Sequence, residues 1–359
     1  MSQPFCQSKE YRDLSIWELA GLSEEQAHDI FAQARWGSTT VMPCPICGTV
    51  DKHYPRHTKK QWRCKDCDAV FSVTTETPFA DRKLSFKKLV MLIYEFVSAP
   101  TGCAANRLHS RLDITHKTAY LNLSKLREVL WEQRDQSPFT GVVHIDGGHF
   151  CGKPRRGRKR NKVTSTIVNN KLRNRKAGMV PDKSVTHAEP WNVEKFKNRR
   201  IVLVIRKLCE SPKSGAERTM AIVVKSENAA NVLPVIRRYV DTSAQIHTDQ
   251  SNCYNQLSAW YDHRTVNHSV EYATDEGITN NQAESFFGRM RRSEYGVYNG
   301  MRPQYLAFFA NEYAWREDMK AKSLREKFDD LLQKACRSGH SKAWRGYQQG
   351  HRLGLEYMN

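Results

Sequence analysis

Four cysteines constrain this chain more than any other feature. Cys44-Pro-Ile-Cys47 and Cys64-Lys-Asp-Cys67 form two C-x2-C knuckles separated by 16 residues. Four thiolates close a tetrahedral shell around zinc, and two tight knuckles gather them at little loop-closure cost. Gly48 after the first knuckle, with Tyr54, Trp62 and Phe71, suits a small ribbon hairpin packed on such a site. Disulfides are the alternative. The opening residues, however, lack the basic stretch followed by an apolar one that marks an exported chain, and disulfides are rare in reducing compartments. A redox pair would not need the second knuckle. The expectation is one structural Zn2+ on Cys44, Cys47, Cys64 and Cys67, a closed shell that carries no catalysis. Cys6, Cys103, Cys151, Cys209, Cys253 and Cys336 show no ligand spacing and read as ordinary thiols.

Charge points to the partner. The 359 residues carry 57 Lys and Arg against 38 Asp and Glu, a net charge of +19. Residues 151–200 hold 16 of the basic side chains and only three acids, Asp182, Glu189 and Glu194. Such a block repels itself and resists packing, yet it suits a polyanion, because each neutralised phosphate releases counterions. Arg155, Arg156, Arg158, Lys159 and Arg160 form its densest run and are expected to grip a DNA backbone. The longest apolar stretch, Leu89 to Val97, already contains Glu95 and is far short of the roughly 20 residues that span a bilayer. No membrane role is expected.

Three helices are expected after the ribbon, over 84–99, 103–112 and 115–133, the first stopped by Pro100 and the last two joined by a turn at Asp113. Short helix, tight turn and longer helix is a helix-turn-helix outline, with Thr115 and Lys117 entering the recognition helix.

From Pro138 the periodicity changes to that of strands. Val142–Asp146, 201–208 and 219–225 read as strands, the last two as a hairpin turning near 212–215. A helix over 228–240, a strand over 244–249 and a short strand over 265–270 follow. Ala283, Phe286, Phe287 and Met290 then stripe one face of a helix over 281–292. This order of elements is that of an RNase H-like α/β domain, a mixed sheet flanked by helices.

Asp146 and Asp249 close two of those strands, and Glu284 lies in the last helix. Carboxylates are the hard oxygen ligands that Mg2+ requires, and two such ions serve phosphoryl transfer by stabilising both the attacking and the leaving oxygen. Glu284 has another reading: with Asn281 as N-cap it would stand at N3 and close a capping box. Asn281 itself and the nearby acids Glu271, Asp275 and Glu276 compete for the third ligand position. Among basic residues, Arg289 and Arg292 are expected to contact phosphates, with His149 and Lys225 as weaker candidates.

Taken together, RWGSTTVMPCPICG at 35–48, WRCKDCDAVFSVTTETPF at 62–79, VHIDGGHFCG at 143–152, IHTDQSNCYNQL at 246–257 and VNHSVEYATDEGITNNQAESFFGRMRRSEYGVY at 266–298 resemble one family. It is the ISXO-like group of bacterial insertion-sequence DDE transposases, which join a zinc ribbon to an RNase H-like catalytic domain. The resemblance runs from about Leu19 to Asp318. It implies Asp146, Asp249 and Glu284 as the acid triad holding two Mg2+ or Mn2+ ions. It also implies cleavage at transposon ends followed by strand transfer into target DNA. The implied partners are double-stranded terminal repeats and target DNA, and synapsis of two ends implies a homodimer or larger assembly on DNA, in the bacterial cytoplasm. In one respect the chain departs from the family: Gly147, Gly148 and His149 follow the first acid, where another acid and an aromatic-Gly-Gly turn are common.

The expected organisation is a helical lead-in (1–38), the zinc ribbon (39–80), a helix-turn-helix-like segment (81–136), the catalytic domain with its basic insert (137–320), and a C-terminal helix and basic tail (321–359). Two rival readings share these parts: a domesticated protein that binds DNA without cutting it, and an RNase H-like nuclease that cuts without joining. A zinc-ribbon RNA-binding factor would explain the charge but not the acids.

Overall fold

A computed structural model describes residues 4–50, 53–151, 199–209, 215–266 and 280–354. Two short helices lead in. Helix α1 (Ile16–Gly21) is capped by Ser15, and α2 (Glu24–Trp36) by a full Ser23–Gln26 capping box, ending on Gly37 at φ +70°. Strands β1 (His53–Arg56), β2 (Gln61–Cys64) and β3 (Val70–Phe71) form the antiparallel ribbon. It rests on α2 through Trp36 and Trp62, whose rings stand 5.6 Å apart. Phe71 is buried between the knuckles, whereas Tyr54, expected to pack there, is 58% exposed on the outer face.

Helices α3 (Phe86–Ser98), α4 (Ala105–Leu112) and α5 (His116–Glu132) follow the expected bounds closely. Asp113 at φ +48° makes the tight turn, and Thr115 caps α5 through the Thr118 N–H. Their apolar faces meet α2 in one core built on Phe31, Phe86, Leu89, Ile93, Phe96, Leu123 and Leu126.

The second half is a five-stranded sheet of β4 (Val142–Phe150), β5 (Arg200–Leu208), β6 (Ala216–Val224), β7 (Gln245–Asp249) and β8 (Asp262–Val266). Its order is β6-β5-β4-β7-β8, with β4, β5 and β6 antiparallel and β7 and β8 parallel to β4. Between β6 and β7, α6 (Ala229–Tyr239) packs on one face with Val143, Ile145 and Ile205. Helices α7 (Asn281–Gly296) and α8 (Leu306–Asp318) cover the other face, with Val202, Val204 and Phe287 in that core. The turn expected near 212–215 and most of the short strand over 265–270 lie outside the described residues.

One feature differs from the sequence expectation. Asp146 does not end its strand: β4 runs on through Phe150, because Gly147 and Gly148 continue the antiparallel pairing with Leu203 and Val202. The expected C-terminal helix forms as α9 (Leu324–Arg337), and its partners, which the sequence did not indicate, are on the N-terminal core. Phe328, Leu331, Leu332 and Ala335 complete the N-terminal helical core, and Trp344 beyond it stacks against Tyr305, ring centroids 4.5 Å apart.

Candidate active site

Strand register builds the site. β4 and β7 pair in parallel at Val142–Gln245, Val143–Ile246 and His144–His247, and there the pairing stops. The same register carried two residues further sets Asp146 beside Asp249, at the mouth where the strands part. Side chains alternate along a strand, so each aspartate shares its face with the histidine before it. Those histidines are buried and stack at 5.2 Å, and burial together with the neighbouring ring pushes the His144 imidazole down to about 3. They form an aromatic floor under the acids.

The third acid arrives on α7. Two buried side chains fix the start of that helix on the sheet. Arg206 of β5, 2% exposed, donates to the Gln282 carbonyl at 2.6 Å and pairs with Glu317 at 3.2 Å. Asn280 donates its amide to the Ile145 carbonyl at 3.3 Å, next to Asp146. The N-cap is therefore Asn280 and not Asn281, and the Asn280 side chain makes no cap hydrogen bond. The capping-box alternative for Glu284 falls with it. Glu284 and Asn281 both lie on the exposed side of the first turn, while Asn280 is fully buried.

Electrostatics tie the acids together. Burial pushes the Asp146 carboxyl up to about 7, reinforced by the charges of Asp249, Glu227 and Glu284 and opposed by the Gly147 N–H donated at 2.7 Å. Asp249 accepts the Ser251 N–H at 3.1 Å. Glu227, just ahead of α6, was not singled out from sequence. Its carboxyl is raised by burial and by Asp249, and it accepts the Tyr254 hydroxyl at 3.3 Å. A carboxylate at a strand-to-helix junction beside the predicted acids was the available signal.

The two glycines after Asp146 have separate tasks. A Cβ on Gly147 would lie 2.3 Å from Glu227 Oε1, and one on Gly148 would lie 2.5 Å from the Phe287 ring. One glycine admits the acid from the α6 side and the other admits α7.

The donor set fits a hard divalent cation, with neighbouring carboxylates and a buried amide oxygen, Asn280 Oδ1, that has no hydrogen-bond partner among the described residues. The thiolates fit zinc. Cys44 and Cys67, and Cys47 and Cys64, stand with Sγ atoms 3.6 Å apart, close to the roughly 3.8 Å edge of a tetrahedral zinc–sulfur shell. Among the described residues, these four are the only group of three or more ligating side chains drawn within 4.8 Å of one another. The acids make a more open arrangement.

The remaining predicted positions divide. Arg155, Arg156, Arg158, Lys159 and Arg160 lie outside the described residues, as do Glu271, Asp275 and Glu276. Thr115 spends its hydroxyl on the α5 cap, and Lys117 projects into a cleft of about 490 Å³ that it shares with Lys125, His340 and Arg345. Arg289 pairs with Glu317 and donates to the Ser285 hydroxyl, its side chain still 32% exposed. Arg292 lines a separate cleft with Tyr313 and Lys327.

The comparisons agree with this geometry. Residues 138–318, just over half of the chain, match the ISXO2-like transposase domain, and residues 22–70 match the transposase zinc-ribbon domain. An uncharacterized protein in transposable element ISH50 of Halobacterium salinarum is 26% identical over 125 residues, 35% of this chain and 41% of that protein. The chain thus spans less than half the length of that relative. An uncharacterized transposase-like protein of Haemophilus influenzae is 25% identical over 100 residues, 28% of this chain and 80% of the relative. No solved structure matches. With a thiolate ribbon ahead of an acid-bearing mixed sheet, each within its matching domain, the chain belongs to the ISXO2-like transposase family.

Proposed function

We propose that this protein is a metal-dependent DNA transposase that cuts at transposon ends and joins them to target DNA. The observation that carries the reading is the register placing Asp146 beside Asp249, with Glu284 on the helix anchored over them. Asp146, Asp249 and Glu284 would hold Mg2+ or Mn2+. A divalent cation bound there supplies Lewis acidity that activates the attacking oxygen and offsets charge on the phosphate. Hydrolysis of one strand at each end leaves a 3′-hydroxyl. That hydroxyl then displaces a 3′ oxygen in the target, exchanging one phosphodiester bond for another. No protein nucleophile is needed. The protein's part is placement: the histidine floor and the Arg206 and Asn280 anchors support the carboxylates at the mouth where β4 and β7 part. The ribbon and helix-turn-helix-like segment would read the terminal repeats, and the basic segment around 155–160 would hold the backbone. Pairing two ends calls for at least two copies on DNA.

A strand-transfer assay tests this. Purified protein is mixed with labelled DNA carrying the terminal repeats that flank its gene, supercoiled target, and Mg2+ or Mn2+, beside Asp249→Asn and Glu284→Gln. Joined products from the wild type and none from either variant are expected. Cleavage without joining would replace the reading with a nuclease, and metal-independent binding without cleavage would replace it with a DNA-binding protein.

A further inference from the structure

We propose that Glu227 is a fourth carboxylate of the divalent-cation site, a ligand that the three-acid description leaves out. This rests on the transposase reading and deepens it.

The first ground is placement. Glu227 lies flat against the backbone beside Asp146: a Cβ on Gly147 would meet its Oε1 at 2.3 Å, its Cδ at 2.5 Å and its Oε2 at 2.9 Å. Any side chain at 147 would expel it. Glu227 enters from the face covered by α6 and Glu284 from the face covered by α7, so the two glutamates flank the aspartate pair from opposite sides of the sheet.

The second ground is how this protein treats its other buried acids. Glu95 is met by Arg107 and Arg111, Glu312 by Arg127 and Arg316, and Glu317 by Arg206 and Arg289. These three carboxylates are each met by two arginines, while buried Glu128 takes the Ser341 hydroxyl and the Lys342 and Ala343 N–H groups instead. Each of the four is thus well supplied with donors, as the cost of desolvation requires. Asp146, Asp249 and Glu227 are supplied far more sparsely: among the described residues none of them has an ion pair, and each accepts a single hydrogen bond. Tyr254 offers Glu227 a single hydroxyl, which leaves its second oxygen without a donor among the described residues. In a protein of net charge +19, three neighbouring carboxylates without a basic partner among the described residues keep their charge for a cation.

The third ground is independent of the acids. Asn280, fully buried, anchors its amide on the Ile145 carbonyl and leaves Oδ1 without a partner. A buried amide oxygen without a donor costs stability unless a cation or a cation-bound water completes it.

The test measures binding rather than turnover. Mn2+ binding to the zinc-loaded, full-length protein is followed by electron paramagnetic resonance, and melting is recorded with and without Mg2+. The proteins are the wild type, Glu227→Gln, Glu227→Asp and Asp249→Asn. Glu227→Gln is expected to melt higher than the wild type without divalent ion, because one crowded buried charge is gone. It is expected to gain less on adding Mg2+ and to bind Mn2+ at least roughly tenfold more weakly, the loss typical when a metal site is disturbed. Glu227→Asp, which keeps the charge but withdraws it by one methylene, should fall between. Wild-type Mn2+ affinity in both Glu227 variants, with affinity lost in Asp249→Asn, would overturn the proposal and leave the transposase reading standing. If Asp249→Asn also binds like the wild type, the transposase reading falls first and the proposal with it.

Discussion

Arg127 on α5 and Glu312 on α8 form a fully buried ion pair, Nε to Oε2 at 2.7 Å, that joins the N-terminal helical core to the half built on the five-stranded sheet. Arg316 closes on the same carboxylate at 2.8 Å and reaches the Phe96 and Ala99 carbonyls, while Arg127 reaches that of Cys103. Burial alone would neutralise all three groups, but their mutual attraction prevails and holds Glu312 below the usual carboxylate range and both arginines above theirs. Glu312→Gln leaves two buried cations without a carboxylate and is expected to cost about 3–5 kcal/mol. Urea unfolding measures it, and a loss under about 1 kcal/mol would mean the junction does not depend on this pair.

Gly148 carries a second prediction. A methyl group there meets the Phe287 ring at 2.5 Å, so Gly148→Ala must displace α7 and with it Glu284. The expected cost is about 1–3 kcal/mol of stability, with a larger fractional loss of DNA cleavage. Gly288→Ala is the control: that position faces open space within the same helix, and the change should stabilise by up to about 1 kcal/mol. Equal melting temperatures for the two variants would refute the packing argument.

Much of this was readable from residues alone, for identifiable reasons. The knuckles, the α3–α5 helices and the strand order are local patterns, and local patterns survive folding. Asp146 and Asp249 were legible because an acid closing an apolar β-branched run is conspicuous. Where Asp146 sits within β4 was not, since two glycines read as a turn and only the pairing with Val202 and Leu203 keeps them extended. Glu227 and Asn280 were missed because their significance lies in contacts with Gly147 and with the Ile145 carbonyl, far away in sequence. The packing of α9 on the N-terminal core is likewise a long-range fact, invisible to periodicity.

Zinc removal should separate the two halves of the molecule. Cys44 and Cys64 share a small core with Phe71, and Trp36 and Trp62 pack against it, so the ribbon depends on its metal more than the five-stranded sheet does. A strong chelator is expected to release one zinc per chain and change tryptophan fluorescence, while leaving most helical circular dichroism intact. Binding to terminal-repeat DNA should fall in parallel. Full retention of binding after measured zinc release would show that the ribbon takes no part in recognition.

Asp318, at the end of α8, supplies a pH dependence away from the acid cluster. Burial raises its carboxyl from 3.8 to about 7, with Glu317 adding to the rise and the Thr219 backbone and Arg206 opposing it only in part. The folded state therefore binds this proton more tightly than the unfolded state does. The stability it contributes is complete below about pH 4, declines as pH rises through the interval, and is gone above about pH 7. Asp318→Asn keeps the shape and cannot ionise, so its advantage over the wild type should be small at acid pH. The advantage should grow to a plateau on the order of 2–4 kcal/mol above neutrality. Thermal unfolding of both proteins across that range measures it; a difference that stays flat with pH would show that Asp318 is ionised in the fold throughout, held by Arg206 more strongly than its burial suggests.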